Sequence, residues 1–146
     1  EKTRIVDMSE SDAWFDFLGY RFKRSRRGKL LRLVRPKSEQ SLRAKLRKPT
    51  RRSNGRSMEA IIKLINPVLI GWFGYFKQAH PTVLTSIDGW VRMRLRSILR
   101  KRQRRKGRGR GLDHQRWRNR YFENLGLFSL ERAREELMSL RKGEKC

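Results

Sequence analysis

Val68, Leu69, Ile70, Trp72, Phe73, Tyr75 and Phe76 form a segment that is apolar almost all round, and it reads as the buried centre of the fold. It sits in a chain with 39 Lys and Arg residues against 14 Asp and Glu, a formal charge of +25. That excess is far beyond what solubility asks for and points to a polyanionic partner. Leu, Ile, Val and Phe make up 36 of the 146 residues, above the rough one-fifth level below which disorder is the default. A core is therefore expected, thin under so much charge. The length suits one domain or a domain with a small appendage and is too short for a two-lobed enzyme.

The single cysteine is Cys146, so neither a disulfide framework nor a Cys-rich zinc site is expected, and an intracellular setting fits best. No run of about 18 apolar residues is read in the chain, so no spanning helix or membrane partner is expected. The sequence opens on Glu1 rather than Met, inside an apparent strand approach, and is read as a piece of a longer polypeptide.

Three apolar runs read as strands: Thr3, Ile5 and Val6; then Phe15, Phe17, Leu18, Tyr20 and Phe22; then Leu30, Leu31, Leu33 and Val34. Gly19 inside the second run suggests a bulge or a close backbone approach, and Arg26-Arg27-Gly28-Lys29 looks like a hairpin tip. Beyond Pro36 the pattern turns helical. Ser38 or Ser41 is placed to cap a helix through about Arg47, and Ser57 to cap a helix from Met58. Asn66-Pro67 is expected to kink or restart that second helix. After His80-Pro81, Thr82 can cap a helix with Leu84, Ile87, Val91, Leu95 and Ile98 on one face. Trp117, Tyr121, Phe122 and Leu125 are read on one further helix stopped by Gly126, and Ser129 caps the last one. The expectation is a mainly α fold, a helical bundle preceded by a small antiparallel β-hairpin element.

Basic residues concentrate where acids are missing. Nine fall between Arg21 and Lys37 with no acid among them, and no acid lies between Asp88 and Asp113. Arg92, Arg96 and Arg100 are four apart, so they are expected to form an exposed cationic ridge flanked by Arg94 and Lys101. Arg outnumbers Lys by 27 to 12, and the planar guanidinium binds phosphate bidentately and stacks on bases. Nucleic acid is the expected partner. The predicted contacts are Arg52, Arg56, Arg92, Arg96, Arg100, Lys101, Arg104, Arg105, Arg108, Arg110 and Arg116, with Lys106 to Gly111 mobile until ligand binds. Trp72, Phe73, Tyr75 and Phe76 are assigned to the core, whereas Trp117 and Tyr121 could be core or stack on bases.

Catalytic patterns are sparse. The two histidines, His80 and His114, lie far from carboxylate or cysteine partners, and Asp7, Asp12 and Asp16 read as ordinary turn aspartates rather than metal ligands. No P-loop, dinucleotide fingerprint or Ser/Cys nucleophile arrangement is present.

Four segments in order, Glu1-Lys2-Thr3-Arg4-Ile5-Val6, Phe15 to Phe22, Asn66 to Phe76, and Ile87-Asp88-Gly89-Trp90 with Arg92 to Arg96, resemble group II intron-encoded reverse transcriptase/maturases. The resemblance implies that residues 1–37 are the last palm strands, with Phe17, Leu18, Gly19 and Tyr20 in the position of the primer grip. It further implies that 38–105 is the helical thumb, or X maturase domain, followed by a basic Gly/Arg loop and C-terminal helices over 106–146. The implied partners are group II intron RNA, template-primer and the remainder of the reverse-transcriptase polypeptide, in a bacterial cytoplasm. The family's catalytic aspartates and their Mg ions would lie upstream, so no cofactor and no polymerase activity are expected of this chain alone. A non-enzymatic structural or ribosome-associated RNA-binding protein, and a duplex-DNA-binding module, are the rival readings.

Overall fold

The apolar segment must bury one face, and the helix that does so organises the molecule. In the computed structural model, which describes residues 13–144, three strands precede six helices. The strands are β1 (Trp14–Phe17), β2 (Tyr20–Arg24) and β3 (Leu30–Val34), an antiparallel sheet in that order. The helices are α1 (Pro36–Arg47), α2 (Met58–Phe76), α3 (Pro81–Arg102), α4 (Asp113–Arg116), α5 (Asn119–Asn124) and α6 (Leu130–Glu144). The mainly α expectation holds, with a three-stranded sheet in place of a single hairpin.

The run from Phe15 to Phe22 is two strands rather than one. Phe17 pairs with Tyr20, leaving Leu18 and Gly19 as a two-residue loop, both with positive φ (51° and 83°), the pattern of a type I′ turn. Gly19 is needed twice over, for its φ and because a Cβ would come within 3.2 Å of the Phe76 ring. The tip at Arg26 to Lys29 forms as expected, Ser25 N–H donating to Lys29 O. The strand read at Thr3 to Val6, with Asp7 and Asp12, lies outside the described residues.

Helix starts follow proline more than serine. Pro36 takes the first position of α1, with Arg35 as an N-cap that offers no side-chain bond, so neither Ser38 nor Ser41 caps it. Pro81 does the same for α3, and the cap is His80, whose Nδ1 accepts from Thr82 N–H, not Thr82. Ser57 caps α2 as expected, accepting from Ala60 N–H at 3.2 Å. Pro67 neither stops nor restarts α2. Ile65 and Leu69, on either side of it, must reach the same core and are essentially inaccessible. Keeping them there outweighs a proline cost of about 3 kcal/mol, and the exposed helix face lets water reach the freed carbonyl.

The core joins Leu42 and Leu46 of α1, Ile61, Ile62, Ile65 and Leu69 of α2, and Leu84, Ile87, Val91, Leu95 and Ile98 of α3. Trp117, Phe122 and Leu130 close it. Trp117 is thus a core residue and unavailable for stacking, while Tyr121 is exposed. The segment after Val68 is not buried all round: Leu69 and Phe76 are, but Ile70 is 51% and Tyr75 57% exposed. By length and composition alone α2 could even cross a bilayer, a correction to the sequence reading. Its packed side is nonetheless the centre of the helical core.

The C-terminal third is fastened to α3 by polar groups. Asp88 accepts from Ser129 Oγ at 2.8 Å and from the N–H groups of Leu130 and Glu131 at 3.0 Å, so a carboxylate of α3 caps α6 beside Ser129, which itself accepts from Arg132 N–H. Arg96, 2% exposed, donates to Trp117 O and Asn119 Oδ1, both at 2.9 Å. Those carbonyl acceptors divide the expected single helix into α4 and α5, with Trp117 between them. Arg100 donates to Lys106 O at 2.7 Å and to Asp113 Oδ2 at 2.8 Å. Gly109 lies flat on α3: its N–H reaches Ser97 Oγ at 2.8 Å, and a Cβ there would stand 2.5 Å from Arg96 Cβ. The Gly/Arg loop is therefore docked, contrary to the expected mobility, because Lys106 O accepts from Arg100 and Gly109 N–H donates to Ser97 Oγ on α3.

Arg96→Ala removes two charge-assisted bonds and strands their acceptors, so urea unfolding is expected to show a loss of roughly 2–4 kcal/mol. Burial pushes the Asp113 carboxyl up, but the Arg110 N–H and Arg100 outweigh it and hold the pKa below its ordinary value. A carboxylate depressed on folding stabilises fully above its unfolded pKa, about 3.9, and loses that contribution as pH falls through the lower folded value. The urea midpoint is expected to drop in that acid range, and Asp113→Asn should shift the loss to neutral pH and shallow the acid limb.

Candidate nucleic-acid interface

The predicted ridge on α3 does not exist as an exposed feature. Arg96 is buried under Trp117 and Asn119, Arg100 is paired with Asp113, and Arg92 lines a cleft with Glu123, Glu131 and Glu135. All three point to the side that the C-terminal segment covers. Burial, then the neighbouring Arg92, lowers the pKa of Arg96, yet a guanidinium stays protonated throughout the physiological range. Arg94 is also structural, donating to Thr50 Oγ1 at 2.7 Å and Arg47 O at 3.0 Å. Spacing of four along the helix correctly puts Arg92, Arg96 and Arg100 on one side; it carries no information on what packs there.

The exposed cations gather instead where the turn after α1 meets the end of α3. Asn54 shapes that turn, donating to Pro49 O and accepting from Arg56 N–H. Arg52 reaches across to Arg105 O at 3.3 Å, and Arg102 reaches back to Asn54 O at 3.2 Å and to Arg56 O. Two segments about fifty residues apart in sequence thus interlock through guanidinium-to-carbonyl bonds. Arg51, Arg52, Arg56, Lys101, Arg102, Arg104 and Arg105 are all exposed around that junction. Among the described residues no carboxylate forms an ion pair with any of them. Carbonyl dipoles orient Arg52 and Arg102 without neutralising them, so the net charge of the cluster remains available to phosphate.

One residue of the junction is strained. α3 ends with Arg104 N–H bonded to Lys101 O and Arg105 N–H bonded to Arg100 O, the double closure of a Schellman motif. The left-handed position, where glycine is usual, is held by Arg104 at φ 59°. Such a placement costs an L-residue about 1–2 kcal/mol, and it projects a cation from the helix end.

Of the other predicted contacts, Arg108 and Arg110 are exposed on either side of docked Gly109, and Arg116 is exposed with Asp113 Oδ1 3.9 Å away. Sequence reasoning missed Arg102, whose signal was its place in the same acid-free stretch as Lys101 and Arg104. A second basic projection is the hairpin tip Arg26-Arg27-Gly28-Lys29.

Phe17, Leu18, Gly19 and Tyr20 form the turn between β1 and β2. Phe17 and Leu18 project from the first hairpin, 61% and 66% exposed. The turn is fixed from behind: Tyr75 OH donates to Leu18 O, Tyr20 OH donates to Tyr75 O, both at 2.9 Å, and Arg35 N–H donates to Gly19 O at 2.8 Å. The hairpin turn is therefore tied directly to α2. Asp16, read as a turn aspartate, pairs with Arg21 at 2.9 Å. Among the described residues no three His, Cys, Asp or Glu side chains stand together as a metal site.

No curated protein sequence matches the chain. The family model for the group II intron maturase-specific domain matches residues 39–121, a span that runs from the first turn of α1 into α5 and takes in both halves of the arginine junction. With more than half of its length inside that match, the chain belongs to the group II intron maturase-specific domain family.

Proposed function

We propose that this chain binds folded group II intron RNA through the junction of the 50–56 turn with residues 101–106, and assists splicing by holding RNA segments whose phosphates would otherwise repel. The observation that carries the reading is the guanidinium cluster oriented by carbonyls and left without carboxylate partners. Family membership supplies the identity of the RNA; a ribosome-associated basic protein would share the charge but not the match over 39–121. The strain at Arg104 supports the same site, because an unfavourable backbone position that a glycine would relieve is retained with a cation on it.

The exposed Phe17-Leu18 tip, tied to α2, supports a second role within a longer reverse transcriptase: holding template-primer while the helices clamp it. Polymerisation there would depend on Mg held by aspartates outside this chain, in a bacterial cytoplasm.

Competition among a group II intron RNA, an unrelated structured RNA and duplex DNA over a salt series tests the reading. The intron RNA is expected to bind tightest; equal affinity for all three would reduce the interaction to generic electrostatics, and tighter duplex binding would favour DNA. Changing Arg52, Arg56, Arg104 and Arg105 together to Gln should lower the log-log salt slope by roughly 3, at about 0.7–0.9 for each phosphate no longer neutralised, while the melting temperature changes little. Arg104→Gly separates strain from binding: it is expected to raise stability by about 1 kcal/mol and to weaken RNA affinity. Unchanged affinity in that variant would remove Arg104 from the interface.

A further inference from the structure

Between α1 and α2 lies a cleft of about 560 Å³, within the size range of small-molecule and nucleotide sites. Its floor is apolar and aromatic, with Leu42, Val68, Trp72 and Phe76, and its rim carries Arg35, Lys37 and Lys45 with the hydroxyls of Ser38 and Ser41. No carboxylate lines it. The Trp72 and Phe76 rings lie 4.6 Å apart between centroids. The indole Nε1 of Trp72 is shielded from solvent and has no hydrogen-bond partner among the described residues, an unmet donor that a ligand acceptor would satisfy. The α1 N-terminus, which reaches the rim at Lys37 and Ser38, has no side-chain cap, and the acid of its first turn, Glu39, pairs with Arg43 and does not line the cleft. The cleft adjoins the first hairpin, since Ser38 Oγ and the Phe76 ring are the atoms nearest to where a Gly19 Cβ would stand.

An apolar floor alone could take a peptide or a base. The all-cationic rim and the free indole donor select a flat ring carrying an anion. We propose that this cleft takes one unpaired nucleotide of the bound RNA, its base against the partly exposed Trp72 and Val68, with buried Phe76 backing the indole, and its phosphate among Arg35, Lys37 and Lys45. The inference rests on the RNA-binding reading above but concerns a separate place on the molecule, built from α1 and α2 rather than from the arginine junction. The two surfaces divide the work: the junction holds phosphates irrespective of base pairing, and the cleft rewards RNA that can extrude a base.

The test compares two RNA hairpins of identical stem, one fully paired and one with a single extruded nucleotide, binding to the full chain and to Gly71→Leu. Gly71 lines the cleft, and a Cβ added there meets nothing within 4 Å. Leucine therefore fills the cleft while favouring the helix, and the melting temperature confirms folding. The parent chain is expected to prefer the extruded hairpin by about fivefold or more, the low end of what stacking one base contributes. In Gly71→Leu that ratio should fall to about one with affinity for the paired hairpin retained. Lys45→Ala, at the exposed rim, should reduce the ratio in the same direction. A 4-thiouridine at the extruded position should cross-link to the peptide that carries Trp72. Equal affinity of the parent for both hairpins, or an unchanged ratio in Gly71→Leu, overturns the proposal, leaves RNA binding by the junction standing, and points to a protein segment in the cleft. Failure of both hairpins to bind at low salt overturns the RNA-binding reading and this proposal with it.

Discussion

Asp88 and Asp113 stand at the two ends of an acid-free stretch, and each meets backbone N–H groups from the C-terminal third of the chain. With so few acids available, a carboxylate placed on one exposed arginine would achieve little, since surface ion pairs are worth only about 0–1 kcal/mol. Buried, the same carboxylates fasten whole segments. Asp88 supplies the N-terminus of α6 with acceptors, and Asp113 joins Arg100 to the loop that carries Gly109. The rest of the architecture depends on that placement. Arg96 and Arg100 become fasteners that donate to carbonyls of the covering segment, while Arg94 and Arg102 donate to carbonyls at the end of α1 and in the turn after it, without a carboxylate partner.

This division explains how a chain with a charge of +25 holds together while keeping a reactive electrostatic surface. Carbonyl oxygens accept from Arg52, Arg94, Arg96 and Arg102. They satisfy the geometry of the guanidinium without cancelling its charge. The two non-glycine residues with left-handed backbone among those described, Leu18 and Arg104, lie at the tip of the first hairpin and at the arginine junction. Both are exposed, and in both the surrounding hydrogen bonds hold the backbone in place. Strain kept at two protruding positions is the local signature expected of surfaces shaped to meet a ligand rather than to maximise stability.

The two sides of α2 divide in a related way. One packs Ile61, Ile62, Ile65 and Leu69 against α1 and α3. The other leaves Ile70 and Tyr75 largely open to solvent. The exposed side of α2 from Leu64 to Tyr75 carries no charge, which gives stacking and close approach a place among the phosphate contacts, and it continues through the Tyr75–Leu18 bond into the hairpin.

Much of this was legible in the residues. Apolar periodicity located α3 and the second half of α2, Ser57 and Ser129 announced their helix starts, Gly28 its turn, and the order of the Phe-Leu-Gly-Tyr, Asn-Pro and Ile-Asp-Gly-Trp segments pointed to the family. These are local signals, set by backbone geometry, capping and composition within a turn or two. What packs against a given side is not local. Arg92, Arg96 and Arg100 share a side of α3 by helical spacing alone, but only the folded-back segment from Lys106 to Asn119 determines that this side is covered. In the same way Arg52 and Arg105 become neighbours only through tertiary closure. A guanidinium looks the same in sequence whether it will meet a carbonyl or a phosphate, because that choice belongs to groups dozens of residues away.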